Sequence, residues 1–135
     1  MTDAEAIVRA WVDAINARDF DAFDTLFAPT YVNHHRPYAQ DDGVPGVRRF
    51  FEALCDALDG FFYDVESLTV DGEHVRLRLR GTGVQVGEVL GMAPTNAPVE
   101  VTVTHLYRVT DGRIQERWGD PDDPFAIRPL EEAGA

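Results

Sequence analysis

The sequence predicts an α+β fold in which three N-terminal helices pack on a strongly curved antiparallel sheet and form a cone with an internal pocket. Two observations indicate this class. Over the first sixty residues apolar side chains recur every three or four positions, and from Phe61 onward they recur every second position. Helices followed by strands are typical of α+β proteins, whereas a parallel sheet alternates the two. Because a bent sheet over helices encloses a cavity, we expect the functional site there.

The helical half contains three amphipathic stretches. The first runs from Thr2 to about Ala17 and places four apolar residues on one face, Ile7, Val8, Trp11 and Ile15. The second covers residues 20–27 and ends before Pro29, and the third covers 47–58. The polar segment 31–35 is too short for a helix, and we expect an edge strand or loop there.

The second half reads as strands over residues 65–70, 75–90, 99–109 and 113–119. Asp-Gly pairs at 71–72 and 111–112 predict hairpin turns. Glycines at 81, 83 and 87 within the second strand indicate a bulge or a close approach, and therefore sharp curvature.

Length and composition indicate one domain. The 135 residues, 44% of them hydrophobic and 27% charged, suit a single globular core. We expect that domain to cover residues 1–135, with 123–135 as an acidic C-terminal tail. The acidic N-terminus does not resemble a secretory signal, and no apolar run reaches the roughly 18 residues of a membrane span. We therefore expect a cytoplasmic protein.

Charge and missing residue types exclude several functions. The formal net charge is −12, which repels nucleic acid and anionic membranes. All twelve cations are arginines, so lysine Schiff-base chemistry and a P-loop lysine are excluded. The one serine, Ser67, and the one cysteine, Cys55, lie in structural contexts. No metal-binding spacing occurs, and we expect neither metal nor cofactor. The remaining side chains suit acid/base catalysis.

Three segments concentrate such side chains. In the first, Asn33 and His35 point one way and His34 the other, which fits either a polar loop or a site. In the second, His105 and Tyr107 share a strand face with valines, so His105 is either a core residue or a pocket residue.

The third segment ends the last strand. Alternation places Ile114, Glu116 and Trp118 on one face, with Asp120 following. A carboxylate held against an indole in a dry cavity has a raised pKa and can act as a general acid or base. We therefore favour Glu116 and either Asp120 or Asp122 as functional.

Five parts of the chain occur together, and in this order, in one known family. They are Trp11 and the segments 27–34, 46–51, 87–95 and 107–118, the last two containing Gly-x-x-x-Gly-x-x-Pro-Thr and Asp-Gly-Arg-Ile-x-Glu-x-Trp. In these the chain resembles the SnoaL-like polyketide cyclases, within the nuclear transport factor 2-like superfamily.

The resemblance implies a conical pocket, a homodimer formed through the sheet, and cofactor-independent intramolecular aldol cyclisation of aromatic polyketide esters. The aspartate that serves such enzymes as acid/base falls on Asp122, or on Asp120 in relatives that hydrolyse epoxides. His34 matches the pocket histidine of the family. Gln85 stands where the family commonly has histidine, which puts the usual activity in question.

These arguments together predict a cyclase or isomerase for a hydrophobic, polyketide-like small molecule, with neither nucleic acid nor membrane as a partner. The expected catalytic residues are Asp122, Asp120, His34 and His105. The expected substrate-binding residues are Trp11, Tyr31, Asn33, Gln85, Tyr107, Glu116 and Trp118. Two alternatives stay open: a hydrolase that activates water with the same aspartates, and a non-catalytic binding or dimerisation module.

Overall fold

A computed structural model describes residues 3–35 and 42–130, and it confirms the α+β class. In these residues the helices are α1 (Asp3–Ala17), α2 (Phe23–Leu26, preceded by a 3-10 turn at Phe20–Ala22) and α3 (Gly43–Ala57). The strands are β1 (Phe27–Asn33), β2 (Leu58–Asp71), β3 (His74–Gln85), β4 (Pro98–Thr110), β5 (Arg113–Gly119) and β6 (Ala126–Pro129). Thr2, the expected first helical residue, lies outside the described residues.

The strands form one mixed sheet in the order β1-β5-β4-β3-β2. The expectation of a purely antiparallel sheet is wrong at one edge, because β1 runs parallel to β5. The segment expected to be a tail also contributes a strand: β6 pairs with β4, with Ala126 opposite Thr102. Residues 131–135 of that segment lie outside the described residues.

The helices cover one face of the sheet, here called the inner face, and the core lies between them. Along β3, Val75, Leu77 and Leu79 are buried, whereas the intervening arginines lie on the opposite, outer face. Trp11 of α1 is 1% exposed and meets the rings of Phe51 and Tyr107 edge-on, each at 5.5 Å between centroids. Within the described residues no helix is long and apolar enough to cross a membrane.

Sheet curvature depends on close packing between β2 and β3. A Cβ on Gly81 would lie only 2.5 Å from Phe61 Cε1, so glycine is required by the approach of that ring. The second predicted strand, 75–90, ends earlier than expected, at Gln85, since 86–97 is a loop. The buried Gln85 amide closes this loop by donating to the carbonyls of Met92 (3.2 Å) and Ala93 (3.1 Å).

A β-bulge changes which side chains of β5 face inward. Val109 of β4 pairs with Ile114, but its neighbour Arg108 pairs with Glu116, so Gln115 is an extra residue. Ile114 and Glu116 therefore lie on opposite faces, and the expectation that Ile114, Glu116 and Trp118 share a face is wrong. Instead Arg117 faces inward and is 5% exposed.

Candidate active site

A cavity of about 340 Å³ opens where β5 ends. Its wall is lined by His35, Arg117, Gly119, Asp120, Pro121, Pro124 and Phe125. A smaller void of about 20 Å³, large enough for about one water, lies deeper in the cone. Arg117 and Phe125 line both spaces, and His105 and Asn33 line the deeper one. Apolar and polar walls therefore meet at Arg117.

Arg117 donates hydrogen bonds to three polar groups of the site. Its Nε donates to His105 Nδ1 at 2.7 Å, and its Nη1 donates to Asn33 Oδ1 at 3.1 Å and to the His35 carbonyl at 2.7 Å. All three acceptors are neutral groups. Among the residues that the structure describes, no carboxylate pairs with Arg117 and no aspartate or glutamate is buried.

His105 is a neutral hydrogen-bond donor at the bottom of the site. Burial, together with the Arg117 charge, lowers its pKa well below the ordinary value. Because Nδ1 accepts from Arg117, the proton of the neutral ring resides on Nε2. In the described part of the chain, Nε2 has no hydrogen-bond partner, and neither do Trp11 Nε1 and Tyr63 Oη. The cone interior thus contains buried polar atoms without a partner in the described residues, and of their residues only His105 lines the deeper void.

Tyr31 and Tyr107, expected to bind substrate, are buried in the core and line neither cavity. Burial raises the pKa of Tyr31 and, more than the Arg117 charge can offset, that of Tyr107. The Tyr107 ring stacks on His105 with centroids 5.2 Å apart. Both hydroxyls stay protonated at neutral pH, so neither supplies a base.

The two candidate aspartates lie in different surroundings. Asp120 lines the large cavity, whereas Asp122 is exposed and does not line it. Asp120 Oδ1 accepts from the Asp122 backbone N–H at 2.9 Å and Oδ2 accepts from Arg76 at 2.8 Å. These two interactions, the backbone one first, lower the pKa of Asp120. Asp123 is partly buried, and its Oδ2 accepts from Thr104 Oγ1 at 2.5 Å.

His34, Glu116 and Trp118 form a cluster on the outer face. The His34 ring stacks on Trp118 at 5.0 Å, and its Nε2 lies 3.2 Å from Glu116 Oε1. Glu116 also accepts from Arg108 at 2.6 Å, and these hydrogen bonds lower its pKa, contrary to the expected rise. His35 lines the cavity instead of His34, and its Nδ1 accepts from the Gly119 N–H at 3.0 Å.

The Gln85 side-chain nitrogen donates to carbonyls of the loop 86–97, and Gln85 lines neither cavity. Within residues 3–35 and 42–130, no group of three His, Cys, Asp or Glu side chains is arranged to hold a metal ion.

Comparison with known proteins decides the family. Residues 5–126 match the family model of the SnoaL-like polyketide cyclases. The chain belongs to this family. Among curated relatives of this cyclase family member, nogalonic acid methyl ester cyclase of Streptomyces nogalater is 28% identical over 128 residues, covering 88% of this chain and 90% of the relative.

Solved structures show the same fold. TsrD from Streptomyces laurentii has a TM-score of 0.78 at 21% identity and covers 87% of each chain. A SnoaL-like polyketide cyclase from Agrobacterium tumefaciens has a TM-score of 0.75 at 17% identity and covers 100% of each. At these identities the similarity shows the fold alone and nothing about substrates.

Sequence reasoning missed Arg117 and Phe125 as site residues of this cyclase family member. Arg117 lies between two residues assigned to the inner face, and only the unpredicted bulge at Gln115 turns it inward. Phe125 lies in the segment treated as a tail. His35 could have been predicted as a site residue, since strand alternation places it on the same side as Asn33.

Proposed function

We propose that this protein is a cofactor-independent cyclase or isomerase that performs acid/base chemistry on a hydrophobic, polyketide-like substrate. One observation carries the proposal: Asp120 is among the residues that line a largely apolar cavity, and this cavity shares Arg117 and Phe125 with a smaller void beside His105. The family membership supports cyclisation, and the curated relative is named as a cyclase of nogalonic acid methyl ester.

In the proposed reaction, Asp120 removes a proton from the carbon beside a substrate carbonyl. The carbonyl oxygen lies in the deeper void, where the His105 Nε2–H donates to it as it becomes an enolate. The enolate carbon then attacks a second carbonyl of the same molecule, forming a carbon–carbon bond. The protonated Asp120 returns its proton to the new alkoxide, so no external oxidant or co-reactant is consumed.

The low pKa of Asp120 restricts the substrate. A carboxylate held ionised by Arg76 is a weak base, so it acts only on an acidic C–H. A carbon between two carbonyl groups has such a C–H, and polyketides contain this unit repeatedly. The proposal therefore specifies a 1,3-dicarbonyl compound as substrate.

The test uses an aromatic 1,3-dicarbonyl compound and compares Asp120→Asn with Asp122→Asn. We expect Asp120→Asn to lower deuterium incorporation from D₂O and product formation by about 10²- to 10⁴-fold. Asp122→Asn is the matched control, because this neighbouring carboxylate does not line the cavity, and we expect it to stay within about twofold of wild type.

Two results would contradict the proposal. One is full turnover in Asp120→Asn, and the other is equal loss in the two variants. Incorporation of labelled oxygen from solvent water into the product would instead indicate the hydrolase alternative.

A further inference from the structure

We propose that Arg117 binds a carboxylate of the substrate, so that the cavity selects free carboxylic acids over the corresponding esters and amides. This inference rests on the proposed function only in placing the substrate in the same cavity. It adds the chemical class of a second group on the substrate and names the residue that recognises it.

Within residues 3–35 and 42–130, the charge on Arg117 has no anionic partner. An arginine side chain stays protonated under all ordinary conditions. Burial of an unpaired cation is costly, and neutral acceptors replace only part of its lost hydration. His105, Asn33 and the His35 carbonyl are such neutral acceptors. A ligand carboxylate would supply the missing negative charge.

Arginines on the outer face, unlike Arg117, have carboxylate partners. Arg76, Arg80 and Arg108 each pair with a carboxylate at 2.6–2.9 Å, and Arg78 pairs with two. These four side chains are about one-third to one-half exposed, where a partner is needed least. The chain has 24 acidic residues, yet among those described none reaches the buried arginine.

The guanidinium is also accessible to a ligand. Arg117 lines the 340 Å³ cavity, whose other walls include the apolar Pro121, Pro124 and Phe125. An aromatic body fits those walls while its carboxylate meets Arg117. The nearby Asp120 carboxylate is already paired with Arg76 at 2.8 Å, which reduces its repulsion of an incoming anion.

The chemistry of arginine favours a carboxylate over other acceptors. Its planar N–H donors match the two oxygens of that group, and hydrogen bonds between charged partners are stronger than neutral ones. The net charge of −12 repels anions from the surface in general. Binding of an aromatic carboxylate would therefore report a local site and not a general attraction.

The experiment measures the binding of 2-naphthoate, methyl 2-naphthoate and 2-naphthamide by titration calorimetry. We expect wild type to bind 2-naphthoate roughly 10- to 100-fold more tightly than the two neutral compounds. Arg117→Gln should remove this difference while keeping the affinity for the amide. Arg80→Gln, which removes an arginine from the outer face, is the matched control and should keep the difference.

Equal affinity of wild type for the three compounds, or no binding of the carboxylate, would overturn the proposal without any variant. An equal loss of affinity for all three compounds in Arg117→Gln would also overturn the proposal, since the arginine would then only support the shape of the cavity. Should Arg117→Gln not fold, Arg117→Lys retains the charge and must retain part of the preference. None of these measurements depends on turnover. The test therefore remains valid even if Asp120 is not the catalytic base.

Discussion

A substitution at Gly119 can place a carboxylate of the chain next to Arg117. Gly119 lies on the inner face opposite His105, and a Cβ there would be 3.4 Å from His35 Cβ and 3.7 and 3.8 Å from Arg117 Nη1 and Nη2. These are ordinary contacts, so the substitution Gly119→Asp places a carboxylate against the guanidinium without moving the backbone.

The expected gain in the free energy of unfolding follows from that geometry. A hydrogen bond between charged groups contributes about 1.5–3 kcal/mol, and desolvation of the new carboxylate removes part of it. We expect Gly119→Asp to be about 1–2 kcal/mol more stable than Gly119→Asn, roughly 3–7 °C in Tm. The asparagine variant is the matched control because it has the same shape and the same loss of glycine.

The assay is urea unfolding of both variants at pH 7 and at pH 2. The arginine lowers the pKa of the introduced carboxyl in the folded protein, so its contribution is present above the unfolded pKa of about 3.9 and is lost as the pH falls through the folded pKa. Gly119→Asp should also lose 2-naphthoate binding. Equal stability of the two variants at pH 7 would refute an uncompensated charge on Arg117.

Two further predictions concern the core and the buried histidine. Gly81→Ala should lower the free energy of unfolding by about 1–3 kcal/mol, because its Cβ would lie 2.5 Å from Phe61 Cε1; an unchanged urea midpoint, compared with the exposed Ser67→Ala, would contradict the packing. His105 has a lowered pKa, so its neutral form stabilises the fold above the unfolded pKa of about 6.5, and this contribution is lost as the pH falls below that value towards the folded pKa. Nitrogen NMR at pH 5.5 should show a neutral ring protonated at Nε2, and an imidazolium spectrum would contradict the assignment.

The features that depend on local pattern could be predicted from the sequence. Helical spacing located α1 and α3, and strict alternation located β4 with His105 and Tyr107 on its inner face. Both patterns arise because one side of the element must be buried, and this requirement holds whatever the neighbouring element is.

Features that depend on pairing between distant segments could not be predicted. The parallel contact of β1 with β5 and the return of β6 to β4 join residues far apart in the chain. Neither has a local signature, since a strand pattern does not specify its partner. The homodimer stays a prediction, as do the catalytic roles of Asp120 and Asp122.

The bulge at Gln115 has the largest chemical consequence, because shifting a strand by one residue exchanges its two faces. Without that extra residue, Glu116 and Trp118 would line the cone and Arg117 would join the paired arginines outside. With it, the interior receives a cation and a glycine, and Asp120, which lines the cavity, lies just beyond the strand. The proposed base and the proposed anion-binding group therefore come from different structural elements, a loop and a strand. A change in loop position can alter proton transfer while carboxylate binding by Arg117 is retained, which is why the two proposals can be tested separately.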